Sequence, residues 1–168
     1  MGDNLPYVDL GTHDALGVTP HTAKSLYPDP YGFCVILDDN RLKCWGRNDN
    51  NRISPDLATT VVLGNAPGEM GDNLPYIDLG THDGLGITPH TAKKMRSTSL
   101  RHRCVILDDN RLKCWGYQRD GALGLGLASS NNTFGDSPTE VGDNLPYVDL
   151  GTGRTAVDVY MTGYATVA

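Results

Sequence analysis

The 168-residue chain is 39% apolar and 20% charged with a formal charge of −6, an ordinary globular composition long enough for one domain with a buried core. The acidic balance argues against the overall basic footprint of a nucleic-acid binder, and no run approaches the roughly 20 apolar residues of a membrane span. Twenty Gly and ten Pro, with several Asn-Asp and Asp-Asp steps, favour many short strands joined by turns over long helices.

In chain order, the opening Met1-Gly-Asp-Asn-Leu-Pro lacks the basic and apolar regions of a signal peptide. The segment Gly2-Asp-Asn-Leu-Pro-Tyr-Val-Asp-Leu-Gly-Thr12 recurs as Gly71 to Thr81, with Ile77 for Val8, and again as Gly142 to Thr152, at offsets of 69 and 71 residues. Such a period reads as a propeller or solenoid carrying an insertion. The insertion is visible: His13-Asp-Ala-Leu-Gly-Val-Thr-Pro-His21 separates Thr12 from Thr22, and His82-Asp-Gly-Leu-Gly-Ile-Thr-Pro-His90 separates Thr81 from Thr91, whereas only Gly153-Arg154 separates Thr152 from Thr155. The first two copies therefore carry seven extra residues. Met1 also stands where Met70 stands before the second copy, so the beginning resembles the middle of a longer array.

A strand is expected near Thr22 to Leu26. It precedes Cys34-Val-Ile-Leu-Asp-Asp-Asn-Arg-Leu-Lys-Cys44-Trp45-Gly46, which returns unchanged as Cys104 to Gly116 with the only other Trp, Trp115. Two apolar runs around Asp-Asp-Asn-Arg predict a β-hairpin with Asn40 in the left-handed position. Pairing Leu37 with Arg41 sets Ile36 against Leu42, Val35 against Lys43 and Cys34 opposite Cys44. A fourth strand is expected at Pro75 to Leu79, with Val61 to Leu63 a further short extended segment. The second unit repeats this with Thr91 to Met95, its hairpin and Pro146 to Leu150. Pro6 to Leu10 has no hairpin before it, and Thr155 to Ala168 starts a unit that stops after its second strand. The expected divisions are 1–21, a terminal strand and insertion loop; 22–80, a first complete blade; 81–151, a second with its insertion; and 152–168, the start of a third. The fold class is all-β, a partial β-propeller of about two four-stranded antiparallel blades.

The pattern Cys-x-Ile-Leu-Asp-Asp-x-x-x-Lys-Cys-Trp-Gly, the run Leu123-Gly-Leu-Gly126 and the Gly-Asp-Asn-Leu-Pro segment together resemble repeats of the regulator of chromosome condensation family, in a divergent Cys-paired form. The resemblance spans nearly the whole chain and implies a β-propeller, usually of about seven four-stranded blades. Departures are local. Asn51-Arg-Ile-Ser54 replaces the family's Gly-Gln-Leu-Gly, Gln118 stands where Asn is usual, and Tyr164-Ala-Thr-Val-Ala168 puts Val167 in a Cys position. Two blades cannot close a ring, so the open strand edges imply a longer propeller or capping by other copies or another subunit.

The four Cys form two identical pairs, Cys34 with Cys44 and Cys104 with Cys114. Their opposition in the hairpin favours structural disulfides, with reduced packed thiols as the alternative; nine intervening residues are far from zinc-knuckle spacing. Disulfides would imply an oxidising or extracytoplasmic compartment, and free thiols a cytoplasmic or nuclear one. Trp45, Gly46, Trp115 and Gly116 read as blade anchors. His13 with His21 and His82 with His90 sit beside Asp14 and Asp83, but an eight-residue separation in a Gly- and Pro-containing loop fixes no ligand geometry, so these read as surface loops available for recognition. His102 carries no assignment. Lys93, Lys94, Arg96, Arg101, Arg103, Arg111, Lys113 and Arg119 are eight of the fourteen cations, against Asp108 and Asp109 alone, so residues 93–119 are a candidate surface for an acidic partner, with Arg101 and Arg103 as interaction candidates; the plainer reading is a solvated edge.

The Asp pairs are explained as turn formers beside Asn and Gly. No phosphate loop, dinucleotide fingerprint or Gly-x-Ser-x-Gly is present, so no catalytic, cofactor-binding or metal-ligating residue is assigned. Asn131-Asn132-Thr133 is a glycosylation sequon relevant to a secreted chain. The expected function is non-catalytic: a propeller segment for protein–protein interaction, using the loops His13 to His21, His82 to His90 and Gln118 to Asp136. Nucleotide exchange on a small GTPase, and a secreted inhibitor or cell-surface module, are the alternatives that the resemblance implies.

Overall fold

The computed structural model describes residues 4–14, 17–49, 53–54, 62–97, 102–126, 132–162 and 165–168. Two four-stranded antiparallel sheets follow one another along the chain. The first has the order β1 (Ala23–Asp29), β2 (Gly32–Leu37), β3 (Leu42–Arg47), β4 (Val62–Leu63), and the second β5 (Ala92–Ser97), β6 (His102–Leu107), β7 (Leu112–Gln118), β8 (Asn132–Phe134). A two-stranded piece, β9 (Tyr160–Met161) with β10 (Thr166–Val167), comes last. This is an all-β fold, a partial β-propeller.

Each central hairpin turns at Asn40 or Asn110, both at φ 66°, where a short polar side chain tolerates the left-handed region. Cys34 stands opposite Cys44 and Cys104 opposite Cys114, with sulfur atoms 2.05 and 2.04 Å apart. Gly46 (φ 116°) must be Gly, because a Cβ there would lie 2.4 Å from the Tyr31 carbonyl oxygen. Beyond β3, buried Asn48 accepts at Oδ1 from the backbone N–H of Ile53 and of Ser54, each at 2.9 Å.

The expected fourth strand is corrected. Val62–Leu63 pairs with β3 at Gly46 and Arg47, and Pro75 to Leu79 contributes only an isolated bridge from Tyr76 to Lys43. Asn132–Phe134 and the Tyr147–Lys113 bridge repeat this in the second sheet. Residues 64–75 loop out through the turn Gly71–Asn73, and Pro75 has no N–H to donate to a ladder. Pro6 to Leu10 likewise forms no strand.

The sheets stack through opposite faces. Cys34, Ile36, Leu42 and Cys44 from the first meet Ala92, Met95, Val105, Leu107 and Trp115 from the second in one buried cluster. The same Cys-hairpin face of the second sheet is covered by Ala156 and Val159. Polar clasps tie successive repeats together. Asp72 accepts from the N–H and Oγ1–H of Thr12, and Asp143 does the same for Thr81. Buried Lys43 donates to the carbonyls of Leu10 and Gly71 at 3.0 and 2.8 Å, and Lys113 to those of Leu79 and Gly142 at 2.9 and 2.7 Å. Burial lowers both ammonium pKa values, that of Lys113 to about 8.

Candidate functional site

Each insertion closes on itself. Thr12 bridges Pro20, His13 N–H donates to the Thr19 carbonyl and His21 N–H to that of Gly11; Thr81, Pro89, His82 and His90 repeat the pattern. The closure brings rings eight residues apart in sequence to a centroid separation of 4.0 Å, in both His13–His21 and His82–His90. The hairpin turn beneath supplies Asp38, Asp39 and Arg41, or Asp108, Asp109 and Arg111.

In the first unit Asp38 accepts from both rings, His13 Nε2 at 3.2 Å and His21 Nδ1 at 3.0 Å. His21 Nε2 lies 3.0 Å from the Tyr76 hydroxyl and accepts from Arg41 Nη2 at 3.1 Å. Arg41 Nε donates to Asp39 Oδ2 at 2.5 Å, and the guanidinium lies 3.9 Å over the Tyr76 ring. In the second unit the distances are 2.9 Å from His82 Nε2 and 3.0 Å from His90 Nδ1 to Asp108, 3.0 Å from His90 Nε2 to Tyr147 and to Arg111, and 2.5 Å from Arg111 to Asp109. The His21 bond, the largest cause, holds the Asp38 carboxyl well below the usual carboxylate range. At Asp108 burial pushes the carboxyl up and the bonds from His90 and His82 outweigh it, so it too is lowered. Burial raises the phenols of Tyr76 and Tyr147.

This corrects the reading of the insertions as plain surface loops. The His21 and His90 side chains are enclosed, while the other described residues of the insertions, His13, His82 and apolar tips such as Val18, Leu85 and Ile87 among them, face solvent. Three chemically suitable ligand atoms per unit, from His13, His21 and Asp39 and from His82, His90 and Asp109, lie within 4.8 Å of one another. Sequence spacing alone missed this, although the recurrence of His at both ends of two like-length insertions was a signal.

The basic window does not form one surface. Arg103 is buried and pairs with Asp29 of the first sheet, Lys113 is buried, Lys94 and Arg96 share Asp158, Lys93 bonds Asn110, and Arg111 and Arg119 sit on Asp109 and Asp120. Strand pairing puts Lys94 and Arg96 of β5 on the face of Ile106 and Cys104, and Arg103 and Lys113 on the opposite face with Val105 and Trp115. Arg103 is therefore an inter-sheet tie rather than an interaction residue; its neighbour Arg101, and Asn131 of the sequon, lie outside the described residues. His102 is buried, and burial lowers its pKa to about 4.

A second candidate surface is the uncovered face of the first sheet. Val8, Leu10, Ala23, Leu26, Phe33, Val35 and Trp45 line a groove of about 330 Å³. Repeat equivalents of these residues in the second sheet are the ones packed against the Cys-hairpin face. Leu26 is 54% exposed where Met95 is 0%, and Phe33 is 40% exposed where Arg103 is 1%. Trp115 is buried in the core cluster, whereas Trp45 lies half-covered and stacked on Phe33, centroids 5.8 Å apart.

No protein-family model and no curated protein matches the sequence. Among solved structures, the chain is similar to human WBSCR16 (18% identity, 82% of this chain and 28% of that chain, TM-score 0.48) and to Prp20p from Saccharomyces cerevisiae, in a structure reported with its binding properties to Gsp1p and histones (16%, 86% and 28%, TM-score 0.48). It is also similar to a chain in the structure of Kap60 bound to yeast RCC1 (Prp20) (18%, 92% and 33%, TM-score 0.49). The chain thus spans about a third or less of the length of the solved proteins it resembles.

Proposed function

We propose that this chain is a non-catalytic propeller segment for protein–protein association, and that another four-stranded blade seats on the open face of its first sheet. The observation that carries the reading is the contrast between the bare Leu26 and Phe33 and their covered equivalents Met95 and Arg103. Burying an exposed apolar face of this kind is the main driving force for blade stacking. The occupant resembles the face that the chain already uses for this purpose, the Cys34, Ile36, Leu42 and Cys44 side of a hairpin. Phe33 in place of Arg103 further requires an apolar or neutral side chain where Asp29 meets Arg103, because a buried unpaired carboxylate is costly.

The test is native mass spectrometry of the chain with and without Leu26→Asp and Phe33→Asp together. Assembly that these substitutions dissolve, while each chain stays folded, supports the reading; a folded wild-type chain with no partner and a bare face counts against it. The partner identified, whether a copy of this chain or another polypeptide, then names the assembly. The paired sulfurs support an oxidising compartment as part of the same proposal, and four freely alkylated thiols in the native protein would remove that support.

A further inference from the structure

We propose that each insertion loop builds a site for a divalent transition metal of the zinc type, with His13, His21 and Asp39 as ligands in the first unit and His82, His90 and Asp109 in the second. Such an ion takes unprotonated imidazole nitrogens and carboxylate oxygens, and each ligating ring is usually oriented by a carboxylate on its other nitrogen. Asp38 and Asp108 fill the orienting role twice over. Arg41 can only donate, so His21 Nε2 is an acceptor and the ring proton sits on Nδ1, facing Asp38. His13 gives its Nε2–H to the same carboxylate, which leaves Nδ1 as its free acceptor. The nitrogens so freed face the second carboxylate. His82 Nδ1 and His90 Nε2 lie 4.0 and 3.9 Å from Asp109 Oδ2, and His21 Nε2 lies 3.8 Å from Asp39 Oδ2. Tetrahedral zinc separates its ligand atoms by about 3.3 Å, so closure draws these His–Asp pairs in by about 0.5–0.7 Å and no ligand pair by more than about 1.5 Å, which side-chain rotations supply.

A cation already occupies this convergence. The Arg41 guanidinium donates to His21 Nε2 and to Asp39, and Arg111 does the same in the second unit. Each arginine side chain is 40% or 39% exposed, so it can swing into solvent and yield its place to a metal ion; like-charge repulsion keeps the two from sharing the site. The Tyr76 and Tyr147 hydroxyls, 3.0 Å from the buried imidazoles, border a fourth position left to water or to a group from a partner. Bound metal would pin the insertion loop to the hairpin turn. The third repeat copy has no insertion and carries Arg154 where His21 and His90 stand, so it supplies no such site.

Zinc uptake by the full chain, measured by equilibrium dialysis near neutral pH and elemental analysis, tests this, with cobalt(II) absorption reporting coordination geometry. The expected content is two ions per chain, one for each group. It falls to one in either His13→Ala or His82→Ala and to none when both are changed. These partly exposed rings leave the core intact, which circular dichroism of each variant checks. Asp38→Asn weakens the first site by about 10–100-fold, and Arg41→Ala with Arg111→Ala tightens both. No uptake by the wild-type chain overturns the proposal whatever the arginine variants do. Uptake undiminished by the paired His13→Ala and His82→Ala change overturns it as well, since the metal would then be elsewhere.

Discussion

Replacing Arg103 by Met leaves the Asp29 carboxylate enclosed, with 2% side-chain exposure, opposite a side chain that cannot pair with it. The two residues lie 74 apart in sequence and join the first sheet to the second, so the damage falls on the stacking of the blades. Stranding one partner of a buried ion pair costs about 3–5 kcal/mol, whereas exchanging both for apolar groups is often near neutral. The first sheet offers a precedent for the apolar choice, since Phe33 occupies the position of Arg103. A double-mutant cycle with Arg103→Met, Asp29→Leu and the pair, read by urea denaturation, separates the two effects. With a urea slope of about 2 kcal/mol/M for a domain of this size, Arg103→Met moves the midpoint down by about 1.5–2.5 M. The pair should recover most of that loss, giving a coupling energy above about 2 kcal/mol. A single-variant cost below about 1 kcal/mol, or additive single variants, would refute the claim that this contact holds the blades together.

Lowering the pH should destabilise the fold through His102. Its folded-state pKa of about 4 lies below the unfolded value of 6.5, so between those values the unfolded chain binds the proton and the folded chain does not. Stability is full above pH 6.5 and falls as the pH drops toward 4, by about 3 kcal/mol in total; denaturation at stepped pH checks the slope, which His102→Gln should flatten. Lys113→Met strands the carbonyls of Leu79 and Gly142 and should cost about 2–5 kcal/mol, with faster amide exchange at the junction of the second and third repeats. Gly11→Ala forces a Cβ at φ 86° to within 2.6 Å of Asp72 Oδ1 and should loosen the first clasp by about 1–3 kcal/mol in chemical denaturation, with Gly17→Ala, where nothing lies within 4 Å, as the milder control. Reducing either disulfide, which closes a loop with a sequence separation of 10, should lower the unfolding free energy by about 2–3 kcal/mol.

The histidine clusters and the uncovered face share no residue. Charge at Leu26 and Phe33 should leave zinc uptake unchanged, and removing His13 and His82 should leave assembly through the open face unchanged. A joint loss would mean that the first sheet had unfolded, which circular dichroism would show.

Sequence by itself determined the elements whose causes are local. The Asp-Asp-Asn-Arg turn, with Asn40 and Asn110 left-handed, sets the hairpin register and so puts Cys34 opposite Cys44 and Ile36 opposite Leu42, because a two-residue side-chain period leaves little freedom once the turn is chosen. The tandem repeat likewise made a partial propeller legible, since each unit carries one face that only a neighbour can cover. Tertiary structure decided what those neighbours are. The strand beside Gly46 is Val62–Leu63 and not Pro75 to Leu79, a choice between two short extended pieces that no local period distinguishes. Arg103 meets Asp29, His21 meets Asp38, Asp39 and Tyr76, and Leu26 lies 54% exposed while Met95 is enclosed. These contacts join residues far apart in sequence, and their energies depend on which face one sheet turns toward the next, a quantity that exists only once the sheets have stacked.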